Sequence, residues 1–78
     1  CGPCRSFAPT FKEASDTFAG KVVFVKLDSE KNQQTAGRLG IRSIPTILVF
    51  KNGVEVARQS GAMPSDQFER WLDQTIRY

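Results

Sequence analysis

Apolar positions recur along this chain in two rhythms and two continuous runs. From Pro3 to Ala19, the residues Cys4, Phe7, Ala8, Phe11, Ser15 and Phe18 recur at spacings of three and four, with Phe7 and Ala8 adjacent on the same face. That is the period of an amphipathic helix with one buried stripe. Pro3 suits the first turn, where its missing N–H would find no partner anyway. Pro9 stands inside the stripe and is expected to kink the helix, and Gly20 ends it. Val22 to Leu27 is a β-branched apolar run with one cation, Lys26, and predicts a buried strand. Residues 28–40 are polar and close on Leu39-Gly40, which predicts a short helix near 32–39 with a left-handed cap. Gly37 weakens that helix by about 1 kcal/mol relative to alanine.

Thr46 to Phe50 is a second apolar run and predicts a strand covered on both faces. Asn52-Gly53 is a type I′ hairpin signal. It leads into Val54–Arg58, whose alternation fits a half-exposed edge strand. Pro64 to Tyr78 predicts a closing helix with Phe68, Trp71, Leu72 and Ile76 on one face. The expected order is α-β-α-β-β-α, with no internal repeat or linker. The two apolar runs would pair in parallel through a right-handed crossover, and the hairpin would add a third, antiparallel strand.

Composition narrows the function. At 78 residues the chain is expected to be one domain, 1–78, with a marginal core. A hydrophobic fraction of 40% and six Phe exclude intrinsic disorder. No apolar run approaches the ~20 residues that cross a bilayer, and no basic, apolar leader is visible, so no membrane is expected. The net charge of +3 comes from Lys and Arg interleaved with acids, so nucleic acid is not an expected partner. Histidine is absent, which removes Ser-His and Cys-His catalysis and any His-bearing metal site.

The two cysteines stand at Cys1 and Cys4, as Cys-Gly-Pro-Cys. A disulfide across so short a loop removes little unfolded-state entropy and staples poorly. The pair therefore reads as chemistry rather than architecture. Cys1 lies just before a helix start, where the helix dipole favours a thiolate.

The chain resembles the thioredoxin family. The resemblance rests on Cys1-Gly2-Pro3-Cys4 opening a helix, Pro9 within it, Ile41-Arg42-Ser43-Ile44-Pro45-Thr46, and Phe50-Lys51-Asn52-Gly53, with Gly61 after the last strand. It covers essentially the whole chain and implies a thioredoxin-like α/β fold with a three-stranded mixed sheet. The family's first strand, first helix and second strand precede the CGPC motif, as do a buried acid and a Trp immediately before the first cysteine. None of these is in this sequence. The absent second strand is central in the family's sheet, between the strands represented here by Val22–Leu27 and Thr46–Phe50. Lys26 matches the family's lysine near that acid and, lacking the acid, is expected to reach solvent.

The resemblance implies Cys1 as nucleophile and Cys4 as resolving thiol, with no cofactor and no metal. Gly2, Pro3, Ile44, Pro45 and Gly61 would bind substrate: Pro45 as the family's cis-proline facing the dithiol, Ile44 offering its backbone to an extended peptide, Gly61 admitting a close backbone approach. Trp71 belongs to the core. The implied activity is cytoplasmic reduction of protein disulfides, with disulfide-bearing proteins and a thioredoxin-reductase-type electron donor as partners. Two other readings stand beside it: a thioredoxin-derived interaction or assembly module with little turnover, and a metal site sharing two cysteines from each of two chains. The poorly protected Val22–Leu27 edge also predicts a homodimer.

Overall fold

A computed structural model describes residues 1–77; Tyr78, which the sequence pattern assigns to the last helix, lies outside the described residues. The elements are α1 (Gly2–Thr17), α2 (Gln33–Arg38), β1 (Thr46–Lys51), β2 (Val54–Ser60) and α3 (Ser65–Ile76). Helix α1 is capped by Cys1, carries Pro3 in its first turn, and runs through Pro9. It stops where Gly20 turns left-handed at φ +84°. There the Phe18 carbonyl accepts from the N–H groups of both Lys21 and Val22, at 3.0 and 3.1 Å. Helix α2 closes with Gly40 at φ +70°. Its Ile41 N–H donates to Ala36 O and its Gly40 N–H to Gly37 O, the paired bonds of a Schellman cap.

The hairpin forms where the turn chemistry asks for it. Asn52 and Gly53 both take positive φ, 53° and 81°, as a type I′ turn requires. Lys51 faces Val54 and Phe50 faces Glu55, but Val49 faces Ala57. Val56 is therefore a bulge, which bends the ladder and raises its twist.

One cluster makes the core: Phe7, Ala14 and Phe18 from α1, Ile47 from β1, Met63, and Phe68 and Leu72 from α3. The Phe68 side chain is wholly buried, and Phe7 meets it edge-on with centroids 4.9 Å apart. Trp71 is half-buried against this cluster, stacked on Phe68 at 6.1 Å. Neighbouring side chains on a strand point to opposite faces, so Ile47 faces α1 and α3 while Leu48 faces away. Arg58 is paired with Leu48 and lies on that second face. Its guanidinium donates to the carbonyls of Leu39 and Gly40 at the end of α2. The same group holds Glu55 at 2.7 Å. That hydrogen bond keeps the Glu55 carboxyl below its ordinary pKa and the Arg58 guanidinium above its own.

The expected three-stranded mixed sheet is corrected by the structure: among the described residues the sheet has two strands, β1 and β2, antiparallel. Val22–Leu27 is not a strand, and the parallel pair and its crossover are absent among the described residues. The alternation expected of a strand survives. Val22 and Phe24 pack inward, whereas Val23 and Val25 are 87% and 78% exposed. Phe24 lies against Phe11 and Phe18, with centroids 5.3 and 6.5 Å away. The Lys26 ammonium, on an exposed residue, sits 6.0 Å from the Phe11 ring centroid. These contacts hold the segment to α1, and among the described residues its backbone joins no ladder.

Truncating Phe68 to alanine removes the ring on which both helices meet. We expect Phe68→Ala to lower the unfolding free energy by about 3–5 kcal/mol, read from the urea midpoint at unchanged slope.

Candidate active site

The site begins at the N-terminus of α1. The Cys1 sulfur accepts a hydrogen bond from the Cys4 N–H at 3.2 Å, so a cysteine performs the task usually left to serine or aspartate. The two cysteines are joined in a disulfide, with Cα atoms 5.3 Å apart. Cys1 is exposed and Cys4 half-buried. In the reduced state the same N–H and the positive end of the helix dipole would favour a thiolate on Cys1. No acidic residue lies in the first turn of α1 to oppose it. The Ser6 hydroxyl donates to Gly2 O and Pro3 O, closing that turn on itself.

The second half of the site comes from the loop leading into β1. The Ile44–Pro45 peptide bond is cis. The Thr46 hydroxyl donates to Ser43 O at 2.6 Å, tying the loop across the proline. The Gly61 N–H donates to Pro45 O at 2.8 Å. This bond follows directly on the Thr46–Ser60 pair, so the β1–β2 ladder extends as far as the proline.

Cys1, Cys4, Ile44 and Pro45 line one cavity of about 690 Å³. The fold thus brings the two cysteines together with a loop some forty residues away in sequence. Gly2 and Pro3 are exposed in the first turn of α1, outside the cavity lining. Gly61 is also outside it, with φ +89° and its N–H already engaged by Pro45. Sequence reasoning missed the Thr46 and Arg58 tethers. Thr46 carried a local signal, a hydroxyl directly after a proline; the Arg58 tether carried none, because the two carbonyls it reaches are 18 and 19 residues away. Among the described residues, no group of three His, Cys, Asp or Glu side chains could hold a metal.

The family model for thioredoxin matches residues 1–74. A thioredoxin of Haemophilus influenzae is 47% identical over 76 residues, covering 97% of this chain and 71% of that protein. Thioredoxin C-2 of Corynebacterium nephridii is 43% identical over the same share of this chain and 70% of its own length. Thioredoxin 2 of Chlorobaculum tepidum is 41% identical, also over 70% of its length.

Gly61 offers a direct test of the loop. A Cβ added there meets no atom within 4 Å, but the backbone is left-handed. Gly61→Ala should therefore lower stability by about 1–2 kcal/mol, measured by chemical denaturation, without overpacking.

Proposed function

The chain belongs to the thioredoxin family, and on that premise we propose that it is a thiol–disulfide oxidoreductase that reduces protein disulfides through Cys1 and Cys4. The observation that carries this reading is the Cys1 sulfur capping α1 while bonded to Cys4, in one cavity with cis-Pro45.

The exchange proceeds in two displacements. The Cys1 thiolate attacks one sulfur of a substrate disulfide, a mixed disulfide forms, and the other substrate sulfur leaves as a thiolate. The Cys4 thiol, deprotonated, then attacks the Cys1 sulfur. The Cys1–Cys4 bond forms and the second substrate sulfur leaves. Two electrons pass to the substrate, and the chain is left in the disulfide state of this structure. A dithiol electron donor of the thioredoxin-reductase type reverses that state. Ile44, 42% exposed beside Pro45, offers backbone to an extended substrate, with Gly2, Pro3 and Gly61 on the surrounding surface.

Residues 1–78 act as one domain in this reading, supported by the single core cluster. The working compartment is the reducing cytoplasm. No helix among the described residues is long and apolar enough to cross a membrane. A second reading, an interaction module that self-associates with little turnover, is favoured by one observation: Val23 and Val25 are exposed on a segment that has no strand partner among the described residues. Pairing of that edge with a second copy would give a homodimer.

With dithiothreitol as reductant, the protein should accelerate insulin precipitation, and Cys1→Ser should fall to the dithiothreitol background. Cys4→Ser should instead accumulate a mixed disulfide detectable by intact mass. A wild-type rate equal to that of Cys1→Ser would leave the module reading. Light scattering between micromolar and millimolar protein is expected to show a shift from 8.7 kDa toward twice that mass, and a constant single-chain mass would end the dimer proposal.

A further inference from the structure

Arg58 uses two edges of its guanidinium on the face of the hairpin that looks away from α1 and α3. Along one edge, Nε and Nη2 donate to the two carboxylate oxygens of Glu55, at 2.9 and 2.7 Å. Along the other, Nη1 and Nη2 donate to the carbonyls of Gly40 and Leu39. A planar guanidinium with fixed donor directions can hold two partners at once in this way. A lysine ammonium, one point charge on a flexible stem, cannot fix both. Glu55 thus sets the direction of the fork, and the two carbonyls receive it. Leu39 and Gly40 lie just past α2, where carbonyls lack helical donors. Neither accepts a main-chain N–H among the described residues.

Those carbonyls stand at the start of the loop Ile41–Pro45, which ends in the cis peptide bond beside the dithiol. The strand that carries Arg58 also holds the far end of that loop. Gly61, directly after β2, donates its N–H to Pro45 O at 2.8 Å. Arg58 and Gly61 are three residues apart, about 10 Å along an extended strand. The five residues from Gly40 to Pro45 could span about 17 Å if fully extended. The loop is therefore bowed rather than taut, and its course depends on where both ends are held. Thr46 closes it locally by donating to Ser43 O. Arg58 ties its beginning to the strand that ties its end.

Resting on the oxidoreductase reading, we propose that Arg58 is a positioning residue for substrate. It fixes the Leu39–Gly40 end of the loop so that Ile44 and Pro45 present their backbone to an extended peptide beside the cysteines. Arg58 is not among the residues that line the cavity, so it acts through the loop alone. A peptide disulfide lying along Ile44 depends on it. A disulfide too small to reach the loop while its sulfur meets Cys1 does not.

The test compares two substrates in excess over reduced protein: bis(2-hydroxyethyl) disulfide, and an extended peptide whose one cysteine is in mixed disulfide with 2-mercaptoethanol. The protein's dithiol supplies the two electrons; the Cys1–Cys4 bond forms and both substrate sulfurs leave as thiols. Arg58→Met keeps an unbranched apolar stem without the fork, and Arg58→Lys keeps the charge. In both, the second-order rate constant for the peptide should fall about tenfold, equivalent to about 1.4 kcal/mol, while that for the small disulfide stays within about twofold. Should Arg58→Met fail to fold, Arg58→Lys carries the comparison alone. An unchanged peptide rate, an Arg58→Lys that matches the wild type, or an equal loss on both disulfides overturns the proposal. The last is what general loosening would give.

Amide hydrogen exchange separates the loop from the redox chemistry. If the wild type leaves the peptide disulfide intact, the oxidoreductase reading fails and exchange alone judges Arg58. The Gly61 N–H reports the proline end of the loop, and the Phe18 N–H, bonded to Ala14 O, reports α1. In either variant, exchange at Gly61 should quicken about tenfold with Phe18 unchanged, which upholds the tether. An unchanged Gly61 rate, or an equal rise at Phe18, overturns it.

Discussion

The edge-on contact between Phe7 and Phe68 sets the spacing of everything else in this chain. It joins α1, which carries the cysteines, to α3 across a core that also holds Ile47 of β1. With α1 packed against α3 and β1, the segment after α1 is placed too, since Phe24 packs its ring against Phe11 and Phe18. The extended segment therefore stands beside α1 with a groove between it and β1. A ring pair contributes only about 0.5–1.5 kcal/mol beyond its buried area. Its larger effect here is geometric, because it determines where two backbones stop.

How much of this was legible in the sequence depends on how local each feature is. The Asn52-Gly53 turn, the Gly40 cap and the faces of α1 and α3 follow from residues within a few positions of one another, and the sequence shows them. Val22–Leu27 has the composition and alternation of a strand. Being a strand is a property of a pair, however, and no pattern within six residues reports whether a partner edge lies 4.8 Å or twice that distance away. The bulge at Val56 is illegible for the same reason: it is a difference in count between two strands.

The site divides along the same line. Cys1 and Cys4 are legible because their whole relation fits in one helical turn. That Ile44 and Pro45 stand in the same cavity came only from the family resemblance, since nothing in residues 41–46 points to residues 1–4. Gly61 is expected from the resemblance to admit a close backbone approach. Its N–H donates to Pro45 O, a bond between two loops that spacing along the chain does not reveal. Its other side remains unobstructed.

That bond divides the site by the kind of contact that builds it. Because the β1–β2 ladder runs on through Gly61 to Pro45, the hairpin and the proline loop share one continuous run of main-chain hydrogen bonds. The cysteines belong to the first turn of α1, a separate hydrogen-bonded unit, and α1 and β1 share the side-chain core that holds Phe7 and Ile47. The distance between disulfide and proline is thus a matter of side-chain packing, so a change of volume at Phe7 or Ile47 would register at the site while leaving the ladder intact.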